Sequence, residues 1–111
     1  MTISHFSRDA DVASVVAALR RDGAVIVENL VGSDVVDTVC AELRPELDVK
    51  GLEQESDFNG SLTNRINNVL AVSPSSAAIV DHDLVVAVAN EILLPHCATY
   101  HIGSMTAIEI L

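Results

Sequence analysis

His5, His82, His96 and His101 are followed two residues later by Ser7, Leu84, Ala98 and Gly103, so the H-x-D and H-x-E spacings that begin many metal sites are absent. The triplet Asp81-His82-Asp83 gathers ligand-type side chains. Its place ahead of an apolar helical pattern favours another use, the capping of free backbone N–H groups by aspartate. No glycine-rich phosphate loop and no G-x-S-x-G elbow occurs, and neither Cys40 nor Cys97 sits in a nucleophile motif. What remains is Thr63-Asn64-Arg65-Ile66-Asn67-Asn68, with a lone cation in an acidic chain, and the alternating positions His101, Gly103, Met105, Ala107 and Glu109. The ordinary use of Arg65 is a salt bridge to one of the many carboxylates. For Asn67 and Asn68 it is turn or cap hydrogen bonding, and for Met105 it is core packing.

These residues must be positioned by short elements. Val12, Val15, Val16 and Leu19 recur at helical spacing, with Ser7 or Asp9 as cap, Arg20 and Arg21 in the last turn and Gly23 just beyond. Ala24 to Leu30 is short and β-branched and reads as a buried strand. Ser33 caps a second helix whose inward stripe is Val36, Val39, Cys40, Leu43 and Leu47, with Pro45 ending or bending it near Arg44. Residues 48 to 64 have no apolar periodicity and read as a long loop. Ser73-Pro74 caps a short helix through Val80. Asp81 or Asp83 starts another, with Leu84, Val85, Val88 and Ile92 inward, which stops before Pro95. A last strand runs from about Ala98 to Leu111, with no turn, cap or polar tail after it, so the chain is expected to be the front part of a larger domain.

Sixteen acidic against six basic residues give a formal net charge of −10. Nucleic-acid and anionic-membrane surfaces need clustered Lys and Arg, so neither partner is expected. Phe6, Phe58 and Tyr100 are the aromatic residues, so the core must be built from Val, Ile, Leu and Ala. Cys40 and Cys97, distant in sequence and set among apolar neighbours, read as buried free thiols. With no leader pattern and no apolar run of spanning length, a cytoplasmic protein is the default expectation.

The order of the pieces adds a resemblance. Arg21-Asp22-Gly23-Ala24-Val25-Ile26-Val27-Glu28-Asn29-Leu30, then a helix, then Thr63 to Leu70, then Asp81 to Ala89, then Ser104-Met105-Thr106-Ala107-Ile108-Glu109-Ile110 resembles the N-terminal part of the phytanoyl-CoA dioxygenase family, from about Asp11 to Leu111. The resemblance implies an α+β chain: the N-terminal helices and first strands of a double-stranded β-helix (jelly-roll, cupin-like) domain, cut short and forming one unit over 1–111. It also implies an Fe(II)- and 2-oxoglutarate-dependent oxygenase that hydroxylates a small organic substrate, with iron held by two His and one carboxylate. In the family that H-x-D follows the strand matching residues 100 to 111, and the second His comes later still, so this chain alone is expected to hold no cofactor and to be inactive. Carried over residue by residue, Arg65 matches a basic position near the 2-oxoglutarate pocket, and Asn67 with Asn68 matches a polar pair facing substrate or cosubstrate. The odd-numbered face through Met105 and Ala107 is expected to line the same cavity. The rival reading is a small acidic, non-catalytic protein-interaction module that buries its last strand against a partner or against a second copy of itself.

Overall fold

The computed structural model describes residues 2–50 and 56–111, and the acidic stretch expected in a loop falls partly on 51–55, outside them. The protein is α+β, with short sheets and helices interleaved along the chain. It divides into two compact units, one formed by Met1–Gly32 and Ala78–His101, the other by Ser33–Ala77 and Ile102–Leu111. Among the described residues no helix is long and apolar enough to cross a membrane.

In the first unit, strand β1 (Ser4–Ser7) pairs in parallel with β2 (Val25–Glu28), and helix α1 (Val12–Asp22) makes the crossover that a parallel pair requires. Polar Ser4-His5-Phe6-Ser7 carries no strand signal of its own; it becomes one because β2 offers it an edge. With Ser7 committed to that pairing, the α1 cap moves to Asp11, whose Oδ2 accepts from the Ser14 N–H at 3.1 Å and its hydroxyl at 3.0 Å. Gly23 ends the helix at φ 77°, a left-handed position that favours glycine, and donates its N–H to the Leu19 carbonyl at 2.8 Å. The strand expected at Ala24 to Leu30 forms only over Val25–Glu28, and one face of it is open rather than buried. Helix α1 packs on α5 (Asp83–Leu93), and Val15, Val16, Ala18 and Leu84 are the buried apolar residues of this unit.

The cap of α5 is neither Asp81 nor Asp83. His82 takes the position, its Nδ1 accepting from the Leu84 N–H at 3.1 Å, with Asp83 in the first turn where a negative charge suits the helix dipole. His82→Ala is expected to lower stability by about 1 kcal/mol, the usual value of a cap, while His82→Asn restores it. Denaturant unfolding of the two variants checks this; equal midpoints would remove the cap role.

In the second unit, helix α2 (Ser33–Lys50) runs through Pro45 instead of stopping near Arg44. Proline removes the N–H that would bond the Ala41 carbonyl, but Ala41 is exposed and water can serve that oxygen. Arg44 spans the site through its ion pair to Asp48 one turn on, with Nε donating at 2.8 Å. The covered stripe of α2 is Val35, Val39, Glu42, Leu43, Glu46 and Leu47, so Val36 and Cys40, expected inside, face out. Both cysteines are exposed free thiols. Cys97, beyond the end of α5, donates to the Leu93 carbonyl at 3.2 Å.

Strand β3 (Thr63–Asn67), helix α3 (Val69–Val72) and a 3-10 turn (Pro74–Ser76) follow, and helix α4 (Ala77–Val80) straddles the division between the units. Strand β4 (Thr106–Ile110) closes the second unit; Ala98 to Met105, expected to belong to it, is not strand. The two short sheets give the coarse α+β class.

Candidate functional site

Strands β3 and β4 form an antiparallel ribbon in which Thr63 lies opposite Ile110, Asn64 opposite Glu109, Arg65 opposite Ile108, Ile66 opposite Ala107 and Asn67 opposite Thr106. Odd positions of β3 therefore share a face with even positions of β4. That parity separates the residues expected to meet: Arg65 and Asn67 lie with Thr106, Ile108 and Ile110 on one face, and Ala107 and Glu109 lie on the other.

The covered face meets α2. There Arg44 holds Glu109 through two parallel bonds of 2.8 Å, and Asn64 donates its amide to the same carboxylate at 3.0 Å. Arg44, then Asn64, lower the Glu109 pKa to about 2, and Glu109, then Asp48, raise that of Arg44. The Asn64 Oδ1 is buried without a hydrogen-bond partner, because turning the amide to satisfy it would aim oxygen at the Glu109 carboxylate. Ile66, 5% exposed, fills the centre of this face.

On the open face Arg65 is half-buried and makes one long bond, 3.4 Å from Nε to the Thr63 hydroxyl. The ordinary role foreseen for it, a salt bridge, is not found: among the described residues no carboxylate pairs with Arg65. Ile108 and Ile110 beside it are 51% and 82% exposed. Asn67 accepts from the Thr106 hydroxyl at 2.9 Å, a cross-strand pair that fixes its amide at the end of the ribbon. Asn68 is exposed at φ 57°, a left-handed turn that asparagine tolerates, and its side chain caps nothing in α3. Met105, half-buried, ends just before β4, and its carbonyl accepts from the Val69 N–H at 3.5 Å. Arg65 and Asn67 thus share one face; Asn68 follows the end of β3, and Met105 lies outside β4.

A polar cluster that the sequence did not announce lies nearby in the same unit. Ser73, fully buried, donates its hydroxyl to Glu42 at 2.5 Å instead of capping the turn that follows it, and Ser75 donates both its hydroxyl at 2.7 Å and its N–H at 3.3 Å. These donors lower the Glu42 pKa, the Ser73 hydroxyl foremost. Glu42 thus caps the turn from outside it. Its inward position one turn after Val39 was the available signal.

A depression of about 590 Å³ in the first unit, lined by Arg8, Asp9, Val12, His82, Asp83 and Ala87, has its histidine already engaged as a cap and its charges mixed. Among the described residues no three His, Cys, Asp or Glu side chains come together in a group that could hold a metal ion. Compared with known proteins, the chain matches no family model and no curated sequence.

Proposed function

We propose that this chain is part of a phytanoyl-CoA-dioxygenase-like oxygenase, a protein that hydroxylates a small organic substrate with Fe(II) and 2-oxoglutarate. Its contribution is the open face of the β3–β4 ribbon as one wall of a small-molecule site. The observation that carries the reading is Arg65: a half-buried arginine, paired with no carboxylate among the described residues of an acidic chain, on one face with Ile108 and Asn67. The guanidinium fork suits the carboxylate of 2-oxoglutarate, and Asn67 and Asn68 would offer amides to cosubstrate or substrate. Met105, half-buried just before β4, is assigned to packing. Two of the four segments that carry the resemblance, Thr63 to Leu70 and Ser104 to Ile110, contain the strands that pair. Iron would supply oxygen activation, and no residue described here is given that role.

In an oxygenase carrying the same Thr-Asn-Arg-Ile-Asn-Asn segment beside a complete iron site, replacing the arginine equivalent to Arg65 by alanine is expected to raise the KM for 2-oxoglutarate about 10- to 150-fold, the loss of about 1.5–3 kcal/mol of charge-assisted bonding. Lysine should recover only part, because a point charge lacks the fork. Unchanged KM and turnover would return Arg65 to the surface. A second reading, the small acidic interaction module, is favoured by the exposure of Ile108 and Ile110.

A further inference from the structure

We propose that β4 is a self-association edge, pairing antiparallel with β4 of a second copy about a two-fold axis at Ile108. The backbone shows which groups are offered. Leu111 donates its N–H to the Leu62 carbonyl at 2.9 Å, so in the alternating antiparallel ladder the odd residues Ala107, Glu109 and Leu111 turn their N–H and C=O groups toward β3. Thr106, Ile108 and Ile110 turn theirs away, toward an edge that no strand among the described residues covers.

The strand is complementary to itself. With Ile108 opposite Ile108 of the second copy, the two exchange N–H and C=O bonds, and Thr106 exchanges with Ile110 in the same way. The open-face side chains then form one apolar row, Ile110, Ile108, Ile108, Ile110, with Thr106 at its flanks. Charge on the strand itself does not oppose this, and the net −10 of each copy acts only as a longer-range repulsion. The single charge on β4, Glu109, lies on the covered face, is paired with Arg44, and meets Ala107 of the copy rather than another carboxylate. The strand has no Pro and no Lys, the usual devices that blunt an edge. The side chains of β4 that share the open face, Thr106, Ile108 and Ile110, are uncharged, and Arg65 lies across the ribbon on β3, so the strand's own sequence fits in register without setting like charges opposite each other. A five-residue edge buries less than a standard interface, so the dimer should be weak. Added salt should strengthen it by screening the net charge.

Sedimentation of the full chain across concentration tests this, with Ile108→Pro and Ile108→Lys as variants and Val36→Lys, on the outer side of α2, as control. Proline at 108 removes an N–H that the ladder with β3 does not use. Both Ile108 variants should weaken dimerisation at least about tenfold, and the control should leave it unchanged. Amide exchange of the unmodified chain gives a readout independent of any variant: Ala107 and Glu109 should be protected at every concentration, and Thr106, Ile108 and Ile110 only as the dimer forms. A chain that stays monomeric at millimolar concentration, a dimer that survives both Ile108 substitutions, or even-numbered amides that exchange freely in the dimer would each overturn the proposal.

Discussion

Ile66→Ala is expected to destabilise the second unit by about 3 kcal/mol, while Ile108→Ala, on the neighbouring strand, should cost less than about 1 kcal/mol. The two side chains are identical and the strands are paired, so the contrast isolates the face. Ile66 is 5% exposed between α2 and β4, and its removal deletes apolar contacts and leaves a cavity that packed neighbours fill only in part. Ile108 is 51% exposed on the side of Arg65 and already keeps much of its surface in water. Against a total stability of about 5–15 kcal/mol for a domain, the first loss is a large share. Denaturant midpoints measured in dilute protein, where self-pairing is absent, decide it. If the two substitutions cost the same, the face assignment is wrong, and with it the placement of Arg65 on the open side.

That assignment is the step the sequence could not supply. Alternation along β3 and β4 is visible in residues such as Arg65-Ile66-Asn67 and Ala107-Ile108-Glu109, but which alternate set joins which depends on register, and a shift of one residue turns every side chain over. Read alone, Arg65, Asn67, Met105 and Ala107 are all odd and look like one wall; paired as Arg65 with Ile108, they divide. Helix α1 was legible because local signals agreed, with Val12, Val15 and Val16 at helical spacing and Gly23 past the end. Strand β1 was not, since its pairing with β2 is a tertiary event.

The same limit explains α2. Val36 and Cys40 are as apolar as Val35 and Val39, and the covered side was decided by polar groups elsewhere: Ser73 and Ser75 draw Glu42 inward, which rotates the stripe and leaves Cys40 outside. Likewise Pro45 is a strong local stop, overridden where Arg44 bridges to Asp48 and across to Glu109. The chemistry-bearing hexapeptide was legible by composition. The carboxylate that reaches its Asn64 lies 45 residues away, and nothing in the sequence links them.

Acid should loosen β4 from α2, and a single carboxylate should account for most of the difference between wild type and Glu109→Gln. Arg44 foremost, then Asn64, bring the Glu109 pKa down from the ordinary 4.5 to about 2. Between those values the unfolded chain binds this proton and the folded chain does not. The stabilisation from Glu109 is therefore complete above the ordinary carboxylate range, erodes as pH falls below it, and is lost as pH passes through about 2. Asp22, held down by its bond from Arg21, and Glu42, held down by Ser73 and Ser75, contribute to the same acid limb, so the comparison must be made against the variant and not from wild type alone. Glu109→Gln is expected to melt several degrees lower at neutral pH, and the two melting curves should converge as pH approaches 2. Arg44→Ala should reproduce the neutral-pH loss without adding to it in the double variant, because both remove the same bidentate pair. High salt should shrink the difference, since the Arg44 side chain is 46% exposed and the Glu109 side chain 31%. Melting curves for wild type and Glu109→Gln that stay parallel from neutral pH to pH 2 would show that the Arg44–Glu109 pair does not hold the ribbon to the helix.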